Sequence, residues 1–150
     1  MRTYIRVGAI MFYKDKLITT RMRKGDSVYH VLPGGGVEDN ETILEAIKRE
    51  VKEELNLKIV NLRLVYIREL NLGDKGRGME LYFYVDTYKG IPKKGFDPEI
   101  KDALLEEIDF LDLDELTSLV FHPKQLIGVL KEDKEANFNE IRHLGLHNYP

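Results

Sequence analysis

The chain contains no cysteine in its 150 residues, which excludes disulfides and thiolate metal sites. It lacks any apolar run of roughly 18 residues and any apolar N-terminal segment of the secretory kind. Neither membrane insertion nor export is therefore expected, and the expected location is cytoplasmic. Positive charge is not in excess: 23 Lys and Arg stand against 26 Asp and Glu, for a net charge of −3. That balance argues against a DNA partner or any binder relying on a broad basic surface. It leaves a small nucleotide open, because a bound metal would supply positive charge locally. No repeat, low-complexity segment or linker interrupts the chain, and its length suits one domain over residues 1–150.

What is present centres on Gly34 to Leu57, GGGVEDNETILEAIKREVKEELNL. Glu50, Glu53 and Glu54 stand at i, i+3 and i+4, so in a helix their carboxylates share one face. Like charges at that spacing cost a few tenths of a kcal/mol per pair. A use that offsets the cost is to hold a hard divalent cation: Mg²⁺ takes oxygen ligands, with one or two carboxylates beside a phosphate. The alternative is a charged, solvated helix after a glycine turn, which composition alone would favour.

Ahead of the helix, Leu32-Pro33-Gly34-Gly35-Gly36 lets the backbone turn and approach a ligand closely. Asn40 is the expected N-cap, and Ile43, Leu44, Ile47, Val51 and Leu55 form the apolar stripe. Asn56 should end the helix, since asparagine tolerates the left-handed capping conformation.

Gly35, Glu41, Arg49, Glu50, Val51, Glu53, Glu54 and Leu57 match the pattern G-x5-E-x7-R-E-U-x-E-E-x-G-U, with U apolar. Asn56 stands where that pattern has glycine, a swap that keeps the capping role. In these residues the chain resembles the Nudix hydrolases (MutT-like), a far more specific match than a lone glycine motif. The resemblance implies an α+β Nudix fold, with a mixed β-sheet sandwiched between α-helices. It implies metal-dependent hydrolysis of a phosphoanhydride in a nucleoside diphosphate derivative: a nucleoside triphosphate, a nucleotide sugar or an ADP-ribose type. Glu50 and Glu54, aided by Glu53 and the Gly34 carbonyl, would hold Mg²⁺ or Mn²⁺. Arg49 would orient one of the glutamates. Glu53 is the first candidate for general base and Glu107 the second, with Glu99 and Glu106 behind them. Signatures for ADP-ribose enzymes, diadenosine polyphosphate enzymes and NADH pyrophosphatases are absent from the places downstream of the box. Two other readings stand beside hydrolysis of a small nucleotide: a non-catalytic nucleotide-sensing module, and a 5′ pyrophosphohydrolase of RNA.

Around the box, Thr3 to Tyr13 reads as one long strand and Leu17 to Met22 as its hairpin partner. Arg21 and Arg23, with Lys24, are candidate phosphate or nucleotide contacts, or else members of a solvated loop. Val28 to Leu32, Lys58 to Leu70 and Met79 to Tyr88 read as strands, with Asn71 to Gly78 as a hairpin loop, and Leu104 to Leu111 reads as a strand whose Glu-rich start also allows a helix. Glu80 is expected in solvent. Gly90 to Asp102 reads as a loop, Asp112 to Val120 as a short helix, and His122-Pro123 as the opening of another. The tail from Phe138 has enough apolar residues to dock on its own domain or on a second subunit, as in a homodimer. His30, His122, His143 and His147 show no metal-ligand spacing and are expected to be structural or surface residues.

Overall fold

The β-branched and aromatic run at the N-terminus forms two strands, β1 (Tyr4–Ile10) and β2 (Phe12–Tyr13), interrupted at the fully buried Met11. Across that break one run serves two sheets. The computed structural model describes residues 4–95 and 104–149. Further strands are β3 (Lys16–Lys24), β4 (Ser27–Val31), β5 (Gly34–Gly36), β6 (Lys58–Asn71), β7 (Arg77–Lys89), β8 (Leu104–Leu111), β9 (Phe121–His122) and β10 (Arg142–Asn148). The helices are α1 (Ile43–Leu55) and α2 (Ile127–Glu135).

One sheet has the order β10-β6-β7-β1-β5, in which β1 runs parallel to β7 and β10 parallel to β6. In the second, β2-β3-β4-β9 are joined by β8, which pairs with β3. Helix α1 buries Ala46, Ile47, Val51 and Leu55 against Val7, Ala9, Leu81 and Phe83. Leu126 and Leu130 sit in the other core, with Ile10, Tyr66, Tyr82 and Phe121. Full burial of each such aliphatic side chain is worth about 1.5–3 kcal/mol, so these two layers hold the sheets in place. The architecture is α+β with mixed sheets, as expected.

Several local expectations change. Thr42, not Asn40, caps α1: Glu45 N–H donates to Thr42 Oγ1 at 3.0 Å and Thr42 N–H donates to Glu45 Oε1 at 2.9 Å. That reciprocal pair, worth about 1 kcal/mol, outcompetes a lone asparagine two residues earlier. Asn40 instead occupies a turn at φ 67°. Asn56 does close the helix, at φ 58° and ψ 34°. The stretch read as a helix after Asp112 is a 3-10 turn, Leu113–Ser118, and the charged residues Lys131 to Glu135 belong to α2. Phe138 is buried and stacks on Tyr84 at 4.4 Å, and β10 runs along β6, so the tail docks on its own domain. The loop after Gly90 runs back along the end of α1, with Lys93 N–H donating to Leu55 O and Gly95 N–H to Glu54 O. Its remainder, including Glu99, lies outside the described residues.

Candidate active site

Strand β5 is three glycines, and that composition is what brings the helix carboxylates to the sheet. Gly34, Gly35 and Gly36 pair with Gly8, Val7 and Arg6 of β1. A Cβ on Gly34 would stand 2.0 Å from Val7 O, so only glycine fits there. A Cβ on Gly35 would stand 2.4 Å from Glu50 Oε1. No side chain of β5 separates α1 from the space beyond, and Gly34 N–H donates to Glu54 Oε2 at 3.2 Å. Glu50 is 1 % exposed and Glu54 5 %, a burial that carboxylates tolerate only with partners.

Arg49 supplies much of that partnership. Its Nε and Nη2 donate to the two oxygens of Glu41 at 2.7 and 2.9 Å, the planar fork that suits a guanidinium. Nη2 also donates to Gly36 O at 3.1 Å, and Nη1 to Glu50 Oε1 at 2.9 Å and Glu53 Oε2 at 3.3 Å. One cation thus ties three carboxylates to the glycine strand. The hydrogen bonds from Arg49 hold the Glu41 carboxyl below its usual pKa. The same contacts, with Glu41 foremost, keep the guanidinium firmly protonated.

A cleft of about 820 Å³ opens beside this group, with Gly34 to Gly36, Glu50 and Glu54 in one wall. Its floor is a row across three strands, set by the register Arg68↔Glu80 between β6 and β7 and Arg6↔Glu80 between β1 and β7. Arg68 Nε donates to Glu80 Oε1 at 2.7 Å, Tyr82 OH donates to the same oxygen at 2.9 Å, and Arg6 Nε lies 3.6 Å from Glu80 Oε2. Glu80 is 6 % exposed, so the expectation of solvent is overturned. The hairpin register places it opposite Arg68, and the charged pair is buried together. Burial, then Glu80 beside it, raises the pKa of the Tyr82 phenol well above the usual range. The hairpin turn between Asn71 and Arg77 already implies the Arg68–Glu80 pairing, because residues equidistant from a turn face each other. A charge in the middle of each apolar strand was the signal available.

Of the residues singled out by sequence, Gly34, Glu50 and Glu54 line the cleft. Arg49 is not on the cleft wall itself but donates to both Glu50 and Glu53, and so links the two. Arg21 and Arg23 alternate with Thr20, Met22 and Lys24, and it is the latter three that line the cleft. The two arginines pair instead with Glu106, at 3.6 and 2.9 Å, and Arg21 lies 3.5 Å from Asp109. Glu107 stands opposite Arg21 in the β3–β8 ladder and its Oε1 accepts from Ile108 N–H, away from Glu50 and Glu54 among the described contacts. His30 bonds Asp109 at 3.0 Å and His143 bonds Glu69 at 2.9 Å. His122 lines the cleft, its ring tilted against Tyr29.

The donor set suits a hard divalent cation. Buried carboxylate oxygens of Glu50 and Glu54 stand together against a strand without side chains, the hard oxygen donors such an ion takes. The space that a Cβ on Gly35 would fill is the space Glu50 needs.

Comparison with known proteins agrees with this geometry. The NUDIX domain model matches residues 2–131. The chain is 36% identical over 118 residues to an ADP-ribose pyrophosphatase of Methanocaldococcus jannaschii, over 76% of this chain and 65% of that protein. It therefore spans just under two thirds of that relative's length. It is 31% identical over 128 residues to an 8-oxo-dGTP diphosphatase of Buchnera aphidicola, over 82% of this chain and 93% of that protein. In fold it is similar to a NUDIX hydrolase from Nitrosomonas europaea, with a TM-score of 0.72, 18% identity and 93% of each chain covered. It is likewise similar to a MutT NUDIX hydrolase from Burkholderia pseudomallei, with a TM-score of 0.67, 19% identity, and 85% of this chain and 96% of that one covered.

Proposed function

The chain belongs to the Nudix family, and we propose that it is a pyrophosphohydrolase that cleaves a phosphoanhydride bond in a nucleoside diphosphate derivative with the help of Mg²⁺ or Mn²⁺. The observation that carries this reading is the pair of buried carboxylates, Glu50 and Glu54, set against a side-chain-free strand in the wall of a roomy cleft.

Phosphoanhydrides resist attack because their oxygens repel a nucleophile, and a bound divalent cation supplies the neutralisation and the lowered water pKa that attack requires. Glu50, Glu54 and the Gly34 carbonyl would hold it. Arg49 fixes the Glu50 carboxylate, and Glu41 fixes Arg49, so the ligand oxygens are oriented before substrate arrives. Glu53, 26 % exposed at its side chain and bonded to Arg49, is the residue proposed to take a proton from the attacking water. Arg6, Arg68 and Lys24 give the cleft positive charge to set against phosphate oxygens, partly balanced by Glu80.

The names of the two relatives put ADP-ribose and 8-oxo-dGTP first in a substrate panel, with nucleotide sugars, ordinary nucleoside triphosphates and 5′-triphosphate RNA beside them. Phosphate and diphosphate release should be followed with Mg²⁺, with Mn²⁺ and with chelator. Metal-dependent cleavage of one or more small nucleotides is the expected result. Folded protein that binds nucleotide but turns over none of the panel would make it a sensor instead. The complete set of box carboxylates counts against that outcome.

A further inference from the structure

We propose that the C-terminal strand completes the substrate cleft, with Tyr149 acting as a stacking surface for the nucleobase. The inference rests on the nucleotide reading given above. Residues 141–149 lie beyond residues 2–131, the stretch that the family model matches, so family membership assigns them no role.

The structure nevertheless places Asn148 and Tyr149 in the cleft wall with Glu50 and Glu54. Three contacts hold them there. Strand β10 pairs with β6 out to Asn148↔Asn71, Asn71 Nδ2 donates to Asn148 Oδ1 at 3.1 Å, and Tyr149 N–H donates to Asn71 O at 3.0 Å. Farther back, Gln125, another cleft residue, bonds His147 at 3.1 Å. The tail is thus tied to the sheet at the backbone and by side chains, and its end is carried over the sheet toward β1.

There Tyr149 meets Tyr4, with ring centroids 5.8 Å apart and planes tilted by 52°. Tyr149 remains 37% exposed while lining the cleft, so a flat surface is available to a ligand. The ladder registers order the floor from this end: Tyr4 pairs with Gly78, Arg6 with Glu80 and Gly36, and Gly8 with Tyr82 and Gly34. Successive members of this face are two residues apart. The aromatic end therefore lies four residues, about 13 Å along the strand, from the Gly34 level where Glu54 is anchored. A nucleoside with its first phosphates can bridge that separation.

The chemistry along the cleft is graded in the same direction. Anionic oxygens suited to a metal, and only through it to phosphate, stand at the glycine strand, paired charges stand in the middle, and uncharged flat rings stand at the tail. Phosphate does not stack, whereas every nucleobase has a π-face that an aromatic side chain can cover. Burial and the bond to Tyr4 push the Tyr149 phenol up to about 12, so the ring stays neutral at physiological pH. Asn148, whose Oδ1 is occupied by Asn71, keeps amide hydrogens that can meet an acceptor on a base edge.

The test is calorimetric binding of two probes in the presence of Mg²⁺: α,β-methylene-ADP, which carries a base, and methylenediphosphonate, which does not. Tyr149→Ala should weaken the first at least about fivefold, the lower end for one lost base stack, and leave the second unchanged. Tyr149→Phe, which keeps the ring, should bind both as the unaltered protein does. Unchanged nucleotide affinity in Tyr149→Ala, with both probes bound by the unaltered protein, would overturn the role of Tyr149 and leave the proposed activity standing. Equal weakening of both probes, or an equal loss in Tyr149→Phe, would also overturn it, since neither is what a stack produces. Failure of the unaltered protein to bind either probe would remove the nucleotide reading itself, and this inference with it.

Discussion

Glu50 lies against Gly35 so closely that a single added methyl group would stand 2.4 Å from its Oε1 and 2.7 Å from its Cδ. Two residues 15 apart in sequence thereby define one site: the first carries no side chain so that the second can place its carboxylate.

Gly35→Ala should consequently displace Glu50 rather than unfold the protein, because α1 keeps its buried face of Ala46, Ile47, Val51 and Leu55. A displacement of about 1 Å at a catalytic group costs on the order of 10²-fold in rate. Steady-state kinetics on the substrate found by the panel, with a thermal melt as control, measures both effects. Turnover within twofold of the unaltered protein (about 0.4 kcal/mol) would mean that Glu50 is not where it matters.

Arg49→Lys keeps the charge and loses the fork. Lysine cannot span Glu41, Gly36 O, Glu50 and Glu53 together, as Arg49 does with contacts of 2.7 to 3.3 Å. Loss of such an orienting partner typically costs about 10–100-fold in metal affinity or activity. A Mn²⁺ titration of this variant should show the weakened affinity directly. Unaltered affinity and activity would reduce Arg49 to a surface ion pair.

Glu53→Gln should lower turnover by at least about 10²-fold, the usual scale for a general base. The change is nearly isosteric and Glu53 is partly exposed, so the melting temperature should hold. A pH–rate profile separates the roles, since loss of a base removes the acidic limb. Near-normal turnover would take Glu53 out of the mechanism and turn attention to the remaining carboxylates, Glu107 included.

Alkali should unfold the protein through its buried phenols. Burial foremost, with Asp133 bonded to one hydroxyl at 2.6 Å and Glu80 to the other at 2.9 Å, raises Tyr66 and Tyr82 well above the usual range. Tyr149 is pushed up to about 12. Each folded value lies above that of the unfolded chain, so the folded state holds these protons more tightly. The resulting stability is complete below about pH 10 and is lost as pH rises through the folded values. Phenolate absorbance followed with circular dichroism should show Tyr66 and Tyr82 ionising only as the fold is lost. All eight tyrosines titrating together near pH 10 with the fold intact would refute it.

Local chemistry, readable in the chain itself, determined the box and its helix. The spacing of Glu50, Glu53 and Glu54, the glycines ahead of them, the apolar stripe (except Leu44, which is 49% exposed) and the left-handed Asn56 all depend on residues within a few turns of one another. Most strands were legible for the same reason, since β-branched and aromatic runs between turns need no distant partner to be noticed. The helix starts after Thr42 and not after Asn40 because Thr42 and Glu45 cap reciprocally, a pairing that outcompetes Asn40.

Tertiary pairing decided the rest. Glu80 looks like a surface residue until β6 folds back on β7 and sets it opposite Arg68. Arg21 and Arg23 read as phosphate contacts or as members of a solvated loop until β8 pairs with β3 and offers them Glu106 and Asp109, leaving Thr20, Met22 and Lys24 to face the cleft. Tyr149 lies 145 residues from Tyr4 and meets it only because β10 docks parallel to β6. A strand's own sequence specifies its two faces, but which face meets the cleft is fixed by its neighbours, and neighbours are chosen by the fold.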